Sequence, residues 1–518
     1  MKMFLFAFIV FLIGVPVFAS AEAVPCSPEK IAAILTPATE SAQEILVDCK
    51  LTLTSSDSIT KRIVIQGAEA NGTVISCNGA TIAPAYGTNA IVVASRQTEN
   101  STQVPPIGKW SAPYDVRVTG CNVTGRIWVV GVPNDNAPGD FYNSSRLDGH
   151  TKRVQDAAPS KIVFASLTIT ANGRSALYVA PGSTKVTLRN SRLRGYSDKA
   201  PAVYLDAETA YNVIQNNRFE TDNPIRETMA IDGSAYNTII GNYFAKLDRG
   251  GIFLYRNCGE GGVIRHQTPN HNQIINNIFY YDIFDGSKPS IHIDSRMGNR
   301  SYCELDAGYP FGSSVSDLDY VTDTVVIKNR IYIFEPSTMI WTHGSPADIR
   351  LNEIVPAGTN QPKRASQCYD INSETVYEHN ATRDVSGFAY TCKDGIWVSP
   401  VLGRLNPLRD FKGQYQLGGW ACLKASPSSI DVHLYVDGPY DVGAFFRTVS
   451  ANRTTTPAID TQCGTTGVPH TFSYRLTSAE FDSNKGQTIF VYGVSGFPDI
   501  ANEVLNGSGQ KIPTTPPQ

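Results

Sequence analysis

The sequence predicts an all-β protein: a parallel β-solenoid followed by a smaller β-sandwich. Three observations carry this. One phrase is written three times, as YNVIQNNRF at Tyr211–Phe219, YNTIIGNYF at Tyr236–Phe244 and HNQIINNIF at His271–Phe279. The second copy begins 25 residues after the first and the third 35 after the second. A repeat of roughly 20–50 residues marks a solenoid, because one unit cannot bury its apolar face without stacked neighbours. Weaker copies extend the series: KIVFASLTI from Lys161, TKVTLRNSRL from Thr184, DTVVIKNRIY from Asp323 and ADIRLNEI from Ala347. Finally, the runs are short, β-branched and punctuated by Asn and Gly, with no helical period.

The first 21 residues read as a secretory signal, with Lys2, an apolar stretch from Phe4 to Val15 and a small-residue Ala19-Ser20-Ala21 cleavage site. That places the chain in the periplasm or outside the cell, with no membrane span once the signal is removed. Residues 24–60 read as an N-terminal cap with a short helical stretch around Pro28–Leu35. Coils occupy 61–356, interrupted at Asn100–Pro113 and Asn134–Pro159 by Pro- and Gly-rich segments that read as long loops. Residues 365–400 form a small stapled connector. Alternating runs such as SIDVHLYVDG and QTIFVYGV give a β-sandwich at 403–498, and 506–518 reads as a disordered tail.

Ten cysteines suit an oxidising compartment. Pairing sequence neighbours gives Cys26–Cys49, Cys77–Cys121, Cys258–Cys303, Cys368–Cys392 and Cys422–Cys463, a connectivity that spacing alone does not fix. No Cys/His cluster has zinc spacing, so no structural metal is expected. A net charge of −3 with scattered Lys and Arg gives no basis for a nucleic-acid partner.

Stacked Asn and Phe at this period in an exported chain resemble the right-handed parallel β-helix proteins of the pectate-lyase-like superfamily, over roughly Lys61–Ile354. The resemblance implies a polysaccharide partner; it does not fix an activity, since that superfamily holds lyases, epimerases, hydrolases and adhesins. The segment holding GGWAC and VHLYVDG is similar to β-sandwich modules found beside bacterial carbohydrate-active domains. Within the coils, Phe219, Phe244 and Phe279 are expected to stack inside. Asn217, Asn242 and Asn277 are expected to stack at one turn, where Asn tolerates the left-handed conformation. Both ladders are structural.

Function is therefore expected on an outward row. A second set of strands follows each repeat: SALYVAP, PAVYLDA, TMAIDG, GIFLYR and SIHIDSR. Alternation turns Val179, Leu205, Ile231, Leu254 and Ile293 inward. The opposite face then carries Tyr178, Tyr204, Asp206, Asp232, Tyr255, His292 and Asp294, with Arg256 and Arg296 at strand ends. The long insertions after Arg256 and Arg296, tied by a Cys258–Cys303 bridge, add Arg265 and His266 to one wall of a groove.

Two chemistries fit. In β-elimination or C5 epimerisation of a uronic acid, Arg256, Arg265 and Arg296 neutralise the sugar carboxylate. His292 or Tyr255 takes the C5 proton, and Tyr255 or His266 returns one. Tyr178, Tyr204 and Asp206 are then substrate-binding. In hydrolysis, Asp232 and Asp294, about 9–10 Å apart if one rung lies between them, approach the roughly 6.5–9.5 Å of inverting enzymes. A retaining pair, Asp206 and Asp232, is the other version. A non-catalytic glycan-binding or adhesin solenoid is the remaining alternative. No cofactor is required; Ca²⁺ is the ion that exposed Asp rows would accept, although no calcium loop is recognisable.

Overall fold

A computed structural model describes residues 23–133, 139–247, 249–281, 288–294, 321–333, 339–342, 347–356, 368–370, 375–377, 380–385, 388–393, 396–398, 401–437, 444–494 and 502–517. The expected signal, Arg296 and Cys303 lie outside these residues.

The repeats stack as a right-handed parallel β-helix of three ten-stranded parallel sheets. One sheet, called the site sheet below, is built from Glu44–Leu46, Arg62–Gln66, Asn89–Ala94, Arg126–Val130, Leu177–Val179, Val203–Leu205, Met229–Asp232, Ile252–Tyr255, Ile291–Ile293 and Ile340–Thr342. The second runs from Lys50–Thr52 to Ala347–Arg350 and the third from Ser58–Ile59 to Glu353–Pro356. Coil stacking therefore begins at Glu44, one coil earlier than the expected boundary at 61. The region assigned to a cap holds both the helix Pro28–Leu35 and the first coil.

Two internal ladders set the rung spacing. Phe219, Phe244 and Phe279 are fully buried, with ring centroids 4.4 and 4.9 Å apart and planes within 4° and 7°. Asn217 Nδ2 donates to Asn242 Oδ1 at 3.1 Å, Asn242 to Asn277 at 3.0 Å, and Asn277 to Asn329 at 3.0 Å. Each side chain also satisfies a backbone group of the neighbouring coil, as when Asn242 Nδ2 donates to Ile214 O at 2.8 Å. The left-handed backbone falls one residue earlier than the sequence suggested, on Asn216, Gly241 and Asn276. The stacked Asn is thus selected for its amide and not for its φ. A parallel ladder, Asn212–Asn237–Asn272, stacks alongside at 2.9 and 2.8 Å.

Both interruptions hold regular structure among their described residues. The first returns as strand Lys109–Ser111, antiparallel to Arg96–Glu99 just before it. The second carries helices Asp140–Ser145 and His150–Asp156. Phe141 and Val154 from these helices form a small satellite core with Val263. The helices therefore meet the excursion that follows Arg256.

After the solenoid, short antiparallel strands at 368–398 precede two antiparallel sheets around one apolar core. The first sheet joins Val401–Leu405, Gln414–Leu423, Arg409–Phe411 and Thr471–Arg475. The second joins Ala444–Ser450, Asp431–Val436, Thr488–Gly493 and Glu503–Val504. The tail expected to be disordered from 506 instead adds Gln510–Lys511 to Thr488–Gly493 and buries Ile512. Three disulfides join Cys26–Cys49, Cys77–Cys121 and Cys422–Cys463. Cys258 and Cys392 are also disulfide-bonded. The expected partner Cys303 and the Cys368 side chain fall outside the described residues.

Candidate functional site

The site sheet places its outward residues in register. Tyr204 lies beside Ala230, Ala230 beside Phe253, and Phe253 beside His292. In the next row Asp232 lies beside Tyr255. Asp294, directly after Ile293, follows Tyr255 on the adjoining rung, its N–H donating to Leu254 O at 3.0 Å. The strand alternation read from sequence holds across these rungs. What it does not reveal is that part of this face is covered.

The cover is the excursion after Arg256, clamped by the two helices. Arg146 Nη2 donates to Gly262 O at 3.1 Å, and Ile264 N–H donates to Ser145 Oγ at 3.1 Å. His266 Nε2–H donates to Ser145 O at 2.6 Å. Glu208, wholly buried, accepts from Thr151 Oγ1 at 2.5 Å and from the His266 N–H at 2.6 Å.

Under this cover the expected surface constellation becomes an interior network. Arg265 reaches Asp232 Oδ1 at 2.9 Å and Asp206 Oδ1 at 3.3 Å, so one guanidinium bridges both carboxylates. Tyr204 donates to Asp232 Oδ2 at 2.7 Å and Tyr178 to Asp206 Oδ2 at 2.6 Å. Asn257 adds its N–H and Nδ2 to Asp232 at 2.9 and 3.0 Å. Burial and the neighbouring Asp232 push the Asp206 carboxyl up against the opposing pull of Arg265. Burial and Asp206 raise the Tyr178 and Tyr204 phenols well above their usual value.

Several expectations are thereby corrected. Asp232 and Asp206 are 0 % and 2 % exposed and fully engaged, so neither hydrolytic pair, Asp232 with Asp294 or Asp206 with Asp232, faces a substrate. Arg256 is also 0 % exposed, and its Nη1 donates to Arg265 O and His266 O at 3.1 and 3.2 Å. It pins the excursion and does not border a groove. Burial lowers its pKa to about 10, with Glu208 working the other way. Arg265 and His266 belong to the cover. Tyr178 and Tyr204, expected to bind substrate, instead stack on one another at 5.3 Å and, for Tyr178, on Trp128 at 6.2 Å, with their hydroxyls committed to Asp206 and Asp232.

Tyr255, His292 and Asp294 do converge, with Tyr255 itself only 1 % exposed at the floor. They line a cleft of about 270 Å³ with Phe253, Arg226, Glu227, Arg249 and Lys288. Arg226 forks onto Glu227 through Nε and Nη2 at 3.0 and 2.8 Å. The same Nη2 donates to the Tyr255 hydroxyl at 2.6 Å, and Tyr255 donates to Glu227 Oε1 at 2.6 Å. Burial pushes Glu227 up, but the hydrogen bonds and charge of Arg226 and the Tyr255 hydroxyl bring it below the ordinary carboxylate value. Glu227 is therefore ionised at neutral pH, and the proton between the two groups stays on the phenol. His292 Nε2 lies 3.5 Å from Asp294 Oδ2, with its ring held edge-on by Phe253 and Trp341. Exposed Arg249, whose Nε donates to Pro224 O at 2.7 Å, and exposed Lys288 stand at the rim.

Sequence reasoning missed Arg226, Glu227, Arg249 and Lys288. All four sit two to three residues before a site-sheet strand, at the edge opposite the covering excursion. A charged residue recurring just upstream of Met229, Ile252 and Ile291 was the available signal. Among the described residues no three His, Cys, Asp or Glu converge to hold a metal ion, and no helix is long and apolar enough to cross a membrane.

The family described as right handed beta helix region matches residues 150–296, the stretch that contains both the covered network and every residue lining the open cleft. Comparison with curated proteins gives no match. Among solved structures, a periplasmic alginate epimerase, AlgG, is 10 % identical, covers 60 % of this chain and 67 % of its own, and has a TM-score of 0.30. The Azotobacter vinelandii mannuronan C-5 epimerase AlgE6 A-module is 12 % identical over 67 % of this chain and 98 % of its own, with a TM-score of 0.29. A mannuronic acid specific polysaccharide family 6 lyase from human gut microbiota is 11 % identical over 66 % and 88 %, with a TM-score of 0.24. Values this low assign no substrate and no reaction.

Proposed function

We propose that this right-handed parallel β-helix protein acts on an acidic, uronic-acid-containing polysaccharide, by β-elimination or C5 epimerisation, in the cleft around Tyr255 and His292. One observation carries the reading: an ionised carboxylate, a guanidinium and a phenol share one proton network beside an imidazole, on a rigid sheet with a cationic rim. Three cationic side chains against two carboxylates line the cleft, which favours an anionic ligand.

The residues divide the work as follows. Arg249 and Lys288 hold the sugar carboxylate and withdraw charge from C5. His292 takes the C5 proton, and Asp294 stabilises the imidazolium that forms. In elimination the electron pair released at C5 forms the C4=C5 double bond as the C4–O bond breaks. Tyr255 gives its proton to the departing oxygen, and the resulting phenolate is stabilised by Arg226. In epimerisation C4–O stays intact, and the proton returns to C5 on the opposite face from the Tyr255 side.

Disulfides in the described chain suit an oxidising compartment, where such a polymer would be met. The test is incubation with polyuronates, following ultraviolet absorbance of unsaturated ends together with reducing ends. Both rising together is elimination, whereas reducing ends alone would mean hydrolysis and refute the reading. Epimerisation changes neither and appears in the NMR spectrum of the polymer.

A further inference from the structure

A second cleft, of about 610 Å³, lies between the first coils and the C-terminal sheets. Its walls are fixed relative to each other. Tyr435 donates to Ser166 Oγ at 3.0 Å, and Ser166 Oγ lies 3.1 Å from His433 Nδ1. Thr448 N–H donates to Asn78 Oδ1 at 3.2 Å. Phe445 packs so closely on Gly120 that a β-carbon there would come within 2.0 Å of its ring. The cleft is therefore formed before any ligand arrives, and its volume falls within the roughly 300–1,000 Å³ typical of small-molecule sites.

Its lining is rich in hydroxyl and amide groups on both sides. Asn122 and Asn484 each commit Nδ2 to a carbonyl, Gly79 O at 2.8 Å and Glu480 O at 2.7 Å, which orients each amide and keeps Oδ1 as an acceptor. Exposed Ser55 and Ser483 add hydroxyls that both donate and accept. The charges are unequal. Arg447 and Glu480 pair with each other, whereas Arg475 has no carboxylate partner among the described residues. Arg475 lines the cleft with its guanidinium 4.6 Å over the Phe411 ring, and a cation without a carboxylate partner beside amide oxygens and hydroxyls matches a polyhydroxylated ligand carrying an isolated carboxylate.

We propose that this interdomain cleft is a second saccharide-binding site, taking a short uronate-bearing stretch of polymer. The identity of the polymer rests on the reading of the Tyr255 cleft; the site itself does not. Two sites on one rigid chain raise the effective concentration of polymer at the first without any new contact there.

The test is calorimetric titration of the full chain, in the Tyr255→Phe background to prevent turnover, with a uronate tetrasaccharide and a neutral tetrasaccharide. Two sites are expected for the acidic ligand. Combining Arg475→Ala with Asn484→Ala should abolish one of them. Neither residue is buried, so folding should survive, and the melting temperature checks this. In the Tyr255-containing enzyme the same pair should leave turnover of short substrates unchanged and raise KM for long polymer about tenfold. Acidic binding that the pair removes but Arg226→Ala leaves would support this site even where no turnover is found. Binding unchanged by the pair, or a neutral tetrasaccharide bound as tightly as the acidic one, would overturn it.

Discussion

Tyr255 donates its hydroxyl proton to Glu227 Oε1 at 2.6 Å, from a strand end to the turn one coil back. Glu227 keeps two further hydrogen bonds from Arg226, so replacing the phenol by phenyl leaves it paired. Tyr255→Phe should therefore lower stability by only about 1.5–3 kcal/mol, the range for a hydrogen bond to a charged group. Turnover should fall by about two orders of magnitude or more, as for loss of a general acid. Melting curves and kcat on a polyuronate check both halves.

Arg249 and Lys288 are exposed and contribute little to packing. Arg249→Ala and Lys288→Ala should leave the melting temperature unchanged. Each should raise KM for an acidic polymer about tenfold or more, since a charge-assisted contact is worth about 1.5–3 kcal/mol. Steady-state kinetics at two salt concentrations provide the check, because the wild-type advantage should shrink as salt screens the rim.

Arg265 neutralises two buried carboxylates, at 2.9 and 3.3 Å. Arg265→Met keeps most of the volume but strands Asp206 and Asp232 together. A loss of roughly 3–5 kcal/mol is expected, as for breaking a buried ion pair from one side. The converse variant, with Asp206→Asn and Asp232→Asn added, should recover part of it. Urea unfolding of the variants measures both effects.

The docking of the C-terminal sheets should be acid-sensitive. Burial, reinforced by Arg189, lowers His433 to about 3 from 6.5; away from that contact, in the helix that clamps the cover, burial lowers His150 to about 4. A depressed histidine means that the unfolded chain binds the proton first, so stability present above pH 6.5 is lost as pH falls toward these values. For His433 the full loss is roughly 3–5 kcal/mol, at about 1.36 kcal/mol per pH unit. His433→Gln should flatten the fall in melting temperature between pH 6.5 and 4. The raised Asp206 carboxyl acts in the opposite sense and is common to both proteins.

The interior was legible in the sequence because periodicity reports it directly: Phe219, Phe244 and Phe279 recur at one position of the repeat and stack. Alternation likewise placed Tyr255, His292 and Asp294 on one outward face. It could not show that the excursion after Arg256 folds back over part of that face. Asp206, Asp232 and Arg256 consequently read as surface groups and are instead buried. Arg226, Glu227 and Lys288 lie just upstream of Met229 and Ile291, where a recurring charge marks the position but not what it meets. Their juxtaposition with Tyr255 depends on three-dimensional stacking.

The central claim is proton transfer at C5 in the Tyr255–His292 cleft, and its most direct test is NMR of a polyuronate incubated with the protein in D₂O. The account predicts either deuterium at C5 or the olefinic signal of a C4=C5 double bond. Either should be reduced by about two orders of magnitude or more in Tyr255→Phe and His292→Ala proteins of wild-type fold. New reducing ends with C5 still fully protonated and saturated, or signals undiminished in both variants, would contradict it.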